Sequence, residues 1–136
     1  MNAKAIVAGL IGGVAFFFLG WLIWGIVLHS FMAGYSNEVC NRPPEEMNMI
    51  LMVVANLAWG LTMSYILSNW HGDNHFAKGL RIGAIVSVAI GLSFDLMLMT
   101  MTTMVSSYVV IGVNVIANAV VGGIVGGIIC WWLGRK

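Results

Sequence analysis

Four stretches of this chain stay apolar for long enough to cross a bilayer, and that property constrains its architecture more than any motif does. They run from Ala5 to Met32, Met47 to Trp70, Ile82 to Met104 and Tyr108 to Leu133. A hydrocarbon core of about 30 Å takes about 20 helical residues. In lipid every backbone amide must be satisfied within its own segment or in a closed barrel, and these unbroken runs lack the alternating period of barrel strands. The expected fold is all-α: a polytopic membrane protein, an antiparallel four-transmembrane-helix bundle, with residues 1–136 as one membrane domain. Composition agrees, since 60% of residues are hydrophobic, 8% are charged and the mean hydropathy is +0.95.

Orientation follows from the cations. Lys4, Lys78, Arg81, Arg135 and Lys136 fall on one side of a four-span arrangement, which is expected to be cytoplasmic and to hold both termini. Arg42 lies opposite, in the loop from Ala33 to Glu46, with Glu38, Glu45 and Glu46. Trp70, Trp131 and Trp132 fall at the first boundary, while Tyr35 and Tyr108 fall at the other, as interfacial anchors should. The first span is too long for a secretion signal and no clear cleavage site follows it, so it is expected to be retained. Cys40 and Cys130 lie at opposite ends of the bundle, too far apart to bridge within one chain.

Asp95 is the one Asp, Glu, Lys or Arg deep within these runs, and a carboxyl group in lipid needs a reason. Counting outward from a turn near Ser106 and Ser107 matches it with Asn118. Counting across the inner loop carries it back to Asn56. The expectation is one polar layer of Asp95, Asn56 and Asn118, with Asn114 close by, roughly 15 Å from the outer surface at 1.5 Å of rise per residue. Burial disfavours the charged form and no cation is near, so a neutral acid bonded to amides is expected.

Spacing supports that pairing. Gly83, Ser87, Gly91 and Asp95 recur every four residues on the third span, as Asn114, Asn118, Gly122 and Gly126 do on the fourth. Antiparallel matching sets Gly91 against Gly122 and Ser87 against Gly126, so the backbones can approach closely. Gly9 with Gly13 and Gly123 with Gly127 offer further small faces, for packing or self-association.

Other candidates are thinner. His71, Asp73 and His75 are metal-ligand types, but they share a short loop without an obvious fourth ligand, and solvated residues are the simpler reading. Met32, Met47, Met49, Met52, Met97, Met99, Met101 and Met104 lie toward the outer half, on the side of His29 and Cys40. Thioethers suit Cu(I), yet methionine at helical spacing also reads as a packing or lipid-facing stripe. Trp21, Trp24 and Trp59 lie inside the bilayer, where they pack or line a pocket for an apolar ligand. No cofactor is expected. No nucleophile and base pair can be assembled and no phosphate loop is present, so an enzyme is not expected. A net charge of +1 gives no basic field for nucleic acid.

The strings FFFLGWLIWGIVLHSFM in the first span and GGIVGGIICWW near the end resemble small bacterial four-helix membrane proteins of unknown function. The resemblance implies a similar bundle in a bacterial inner membrane and supplies no catalytic residue. The expected role is a non-enzymatic one, as a structural or self-associating protein (a homo-oligomer) or an accessory subunit of a larger membrane complex. Alternatives are a carrier of a small solute, proton or ion using Asp95, and an outward-facing Met-rich Cu(I) or apolar-ligand binder.

Overall fold

A computed structural model describes residues 2–35, 43–70, 72 and 75–135. Helix α1 (Ala3–Gly20) continues through a π-helical segment, Trp21–Val27, into the short α2 (His29–Ala33). A 3-10 turn at Pro44–Glu46 precedes α3 (Met49–Asn69), α4 (Phe76–Met101) and α5 (Tyr108–Gly134). Four stretches, Ala3–Val27, Met49–Asn69, Phe76–Met101 and Tyr108–Gly134, are long and apolar enough to cross a membrane. The protein is an all-α four-helix bundle.

Three helices start on side-chain caps. Asn2, Asn48 and Ser107 accept from the amides of Ala5, Leu51 and Val109, which satisfies donors that have no partner within the first turn. The fourth, α4, begins at Phe76, a turn and a half before the apolar run that starts at Ile82. Lys78 and Arg81 favour helix, and their long stems can reach the interface, so the helix extends past the end of the hydrophobic sequence. It stops at Met101, where Thr102 turns extended at φ −140°, which leaves Met104 outside it.

The spans run up and down. At one end Lys4 Nζ donates to the carbonyl of Arg135, which holds the two terminal segments together. At the other, Ser106 Oγ donates to the carbonyl of Tyr35 at 2.9 Å, joining the end of the first span to the loop before α5. These are called the terminal end and the loop end below.

The bundle is two tight pairs joined through a hub. Helix α1 packs along α3 and α4 along α5, while α5 also meets α1 and α3; α3 and α4, consecutive in sequence, scarcely touch. Half of the most apolar window of α5 is buried, against 22% in each other span, which identifies α5 as the hub. Its Val121, Val125 and Ile129 form the core with Ala5, Ala8, Met63 and Leu67 from α1 and α3.

Glycine sets the closeness of both pairs. Between α1 and α3, a side chain on Gly60 would overlap the backbone of Gly13 and Gly9. Between α4 and α5, one on Gly79 would overlap the carbonyl of Gly126, and one on Gly83 that of Gly122. Lipid tails are as apolar as the helices, so such close approach, through dispersion and hydrogen bonding, is what holds spans together. The Gly9 and Gly13 face is thus used inside the chain. A buried Ser64 Oγ donates to the carbonyl of Ala5 at 2.7 Å and adds a polar tie to the α1 and α3 pair.

Candidate functional site

Asp95 lies on the face of α4 turned to α5 and is 8% exposed. The side chain of Asn114 on α5 lies beside its carboxyl group. Asn114 Oδ1 in turn accepts from Trp24 Nε1 at 3.0 Å. An amide carries both donors and acceptors, so Asn114 can serve both neighbours at once. The result is a chain of polar groups from the first span, through the hub, to α4. Asp95 Oδ2 is buried with no hydrogen-bond partner.

Trp24 reaches Asn114 from within the π-helical segment. There the amide of Leu28 bonds to the carbonyl of Ile23 at 2.7 Å, five residues back instead of four. The wider turn inserts one residue into the helical repeat and so re-aims the side chains around it, a distortion often found at functional positions.

Asp95 faces Asn114, not Asn118. Asn118 sits one turn further in, where a side chain on Gly91 would overlap it, and Ser87 lies against Gly122 instead of Gly126. Both ladders are present and antiparallel, but every rung is displaced by one turn from the sequence expectation. The cause is the connection: α4 ends at Met101 and α5 starts at Tyr108, so the spans reflect about the middle of the 102–107 segment and not about Ser106 and Ser107.

Depth shifts with it. Asp95 lies six residues before the end of α4, and Asn114 six after the start of α5. At 1.5 Å of rise per residue that is about 9 Å from the loop end, short of the bundle's middle.

Asn56 does not join the layer. Its Nδ2 donates to the carbonyl of Met52 in its own helix at 2.7 Å, and its backbone lies against Gly13 of α1. Because α3 and α4 scarcely touch, a residue on α3 is carried away from Asp95 at this depth. Counting across a loop assumes that consecutive helices pack, and here they do not.

Trp59 instead packs with Phe16, ring centroids 6.0 Å apart, and its Nε1 is buried without a partner. Trp21 is mostly exposed on the outside of the first span. Met97 and Met101 are exposed on α4, Met49 and Met52 on α3. His75 stands just before α4; His71, Asp73 and Cys40 lie outside the described residues. Among the described residues no three His, Cys, Asp or Glu side chains group as a metal site would require. Beside the π-helical segment, a cavity of about 210 Å³ is lined by apolar side chains that include Ile23, Val27, Val113 and Ile116.

Trp24 is the member of the cluster that the sequence did not single out as a hydrogen-bond donor. An indole two thirds of the way along an apolar span reads as packing, and nothing in the local string signals the π-helical turn that aims it. Chemically, the cluster offers a carboxyl group facing an amide and an indole. Neither neighbour is a nucleophile or a base.

Compared with known proteins, the chain matches no family model, no curated protein and no solved structure.

Proposed function

We propose that the protein is a non-enzymatic membrane subunit that works through its surface, either by self-association or as an accessory subunit of a larger assembly. One observation carries this reading: the only acid deep within a span is buried in the seam between α4 and α5, beside Asn114, which Trp24 of the first span hydrogen-bonds. A charged-type residue in a membrane usually marks a transport path or a helix contact, and the burial of Asp95 in a helix seam beside Asn114 favours the contact. The α1 and α3 seam and the α4 and α5 seam are closed by glycine-tight packing, which supports the outer faces as the place for partners.

The membrane is proposed to be a bacterial inner membrane, with both termini in the cytosol. Support for the orientation comes from Lys4, Lys78, Arg81 and Arg135, which fall at the terminal end, where cations retained on the cytoplasmic side belong.

The test is extraction from native membranes into lipid nanodiscs, followed by mass measurement of the intact particle. The protein should appear in multiples of its 14.7 kDa or with a second chain. A particle holding one copy alone, across a range of expression levels, contradicts the proposal. The runner-up, a carrier using Asp95, predicts a flux that depends on that carboxyl group.

A further inference from the structure

At the terminal end, a cavity of about 550 Å³ lies between Trp70, which follows α3, and the first turns of α4. Its lining is graded along the membrane normal. Trp70, His75, Lys78 and Arg81 form the mouth, and Ile82 and Ile85 lie deeper along α4. Lys78 Nζ donates to the carbonyls of Trp70 at 3.0 Å and Gly72 at 3.1 Å, beside the opening. Arg81 is exposed, and its guanidinium has no hydrogen-bond or ion-pair partner among the described residues. Ile85 is 60% exposed.

We propose that this cavity holds one anionic phospholipid, with its phosphate at Arg81 and an acyl chain against Ile82 and Ile85. A planar guanidinium suits phosphate oxygens, an indole belongs at headgroup level, and an aliphatic floor suits an acyl chain. A soluble anion would have no use for that floor. A zwitterionic lipid would bring its own cation to a mouth that is already basic.

The other cationic corner of the terminal end provides a built-in comparison. There Lys4 is bonded to the carbonyl of Arg135, and the Arg135 guanidinium lies over the rings of Trp131 and Trp132, 4.8 Å and 5.2 Å from their centroids. Those cations are already engaged.

The experiment is native mass spectrometry of the protein released from nanodiscs of equal phosphatidylcholine and phosphatidylglycerol. Wild type should retain one phosphatidylglycerol in preference to phosphatidylcholine. Arg81→Gln should lower that retention about fivefold, the scale of one cation at an anionic lipid surface. Ile85→Trp, which fills the floor without changing charge, should lower it too, whereas Arg135→Gln should leave it unchanged. Arg81 and Ile85 are both exposed, so the variants keep the fold, and circular dichroism verifies this. Equal retention of the two lipids would overturn the proposal. So would an equal loss in Arg135→Gln, which would indicate a general charge effect, or displacement by inorganic phosphate alone, which would indicate a site for a free anion.

Discussion

Trp24 Nε1 donates to Asn114 Oδ1 at 3.0 Å and so fastens a π-helical turn of the first span to the hub helix, ninety positions away in sequence. Asn114 also lies beside the carboxyl group of Asp95 on α4. Three elements that pack largely by dispersion therefore share one polar thread near the loop end. Breaking it at Trp24 removes a donor while leaving most of the aromatic volume: Trp24→Phe should cost about 1 kcal/mol in reversible unfolding from mixed micelles, near the upper part of the range for hydrogen bonds between membrane helices. No change in the unfolding midpoint would show that the bond contributes nothing to stability.

The seam between α4 and α5 ranks the glycines. Gly126→Val places a branched side chain against the backbone of Gly79 and Gly83 and should prevent the two spans from docking, seen as loss of a folded species in size-exclusion chromatography. Gly112→Ala, where the added methyl group meets nothing within 4 Å, should leave the elution unchanged. Equal tolerance of both would contradict the close approach.

How much of this the sequence disclosed depends on what decides each feature. Helix number and all-α class follow from apolar length, which lipid enforces locally on each span, and the four-residue ladders followed from spacing alone. Register did not, because it depends on where α4 stops, and Thr102 to Ser107 looked like helix followed by a tight turn. The partner of Asp95 was accordingly placed one turn away, at Asn118 instead of Asn114. Asn56 was misplaced for a different reason: which helices touch is a tertiary property, and α3 chooses α1 through Gly60 instead of α4. The π-helical segment left no mark in the string that contains it.

Two buried serines make opposite predictions. Ser64 Oγ bonds to the carbonyl of Ala5, whereas Ser87 Oγ is buried against Gly122 with no partner. Ser64→Ala should therefore destabilise the fold by about 1 kcal/mol, and Ser87→Ala should be neutral or stabilising, because it removes a polar group that burial penalises. Thermal unfolding in one detergent distinguishes them; a larger loss for Ser87→Ala would reverse the assignment.

Gly72, between α3 and α4, adopts φ +100°, which side-chain-bearing residues rarely take. Gly72→Ala has open space around it, so only backbone strain opposes the change, and about 1 kcal/mol of stability should be lost. The same substitution at Gly112, in regular helix, isolates that strain by comparison. Equal melting temperatures for the two variants would contradict it.

Dissipation of an imposed pH gradient across liposomes that contain the purified protein, wild type against Asp95→Asn, is the most direct test of whether the buried carboxyl group is a fastening or a conduit. The two decays should coincide, and both should match empty liposomes. A faster decay with wild type, abolished by Asp95→Asn in a protein that still folds and associates, would show that Asp95 carries protons and contradict its role as a helix fastening.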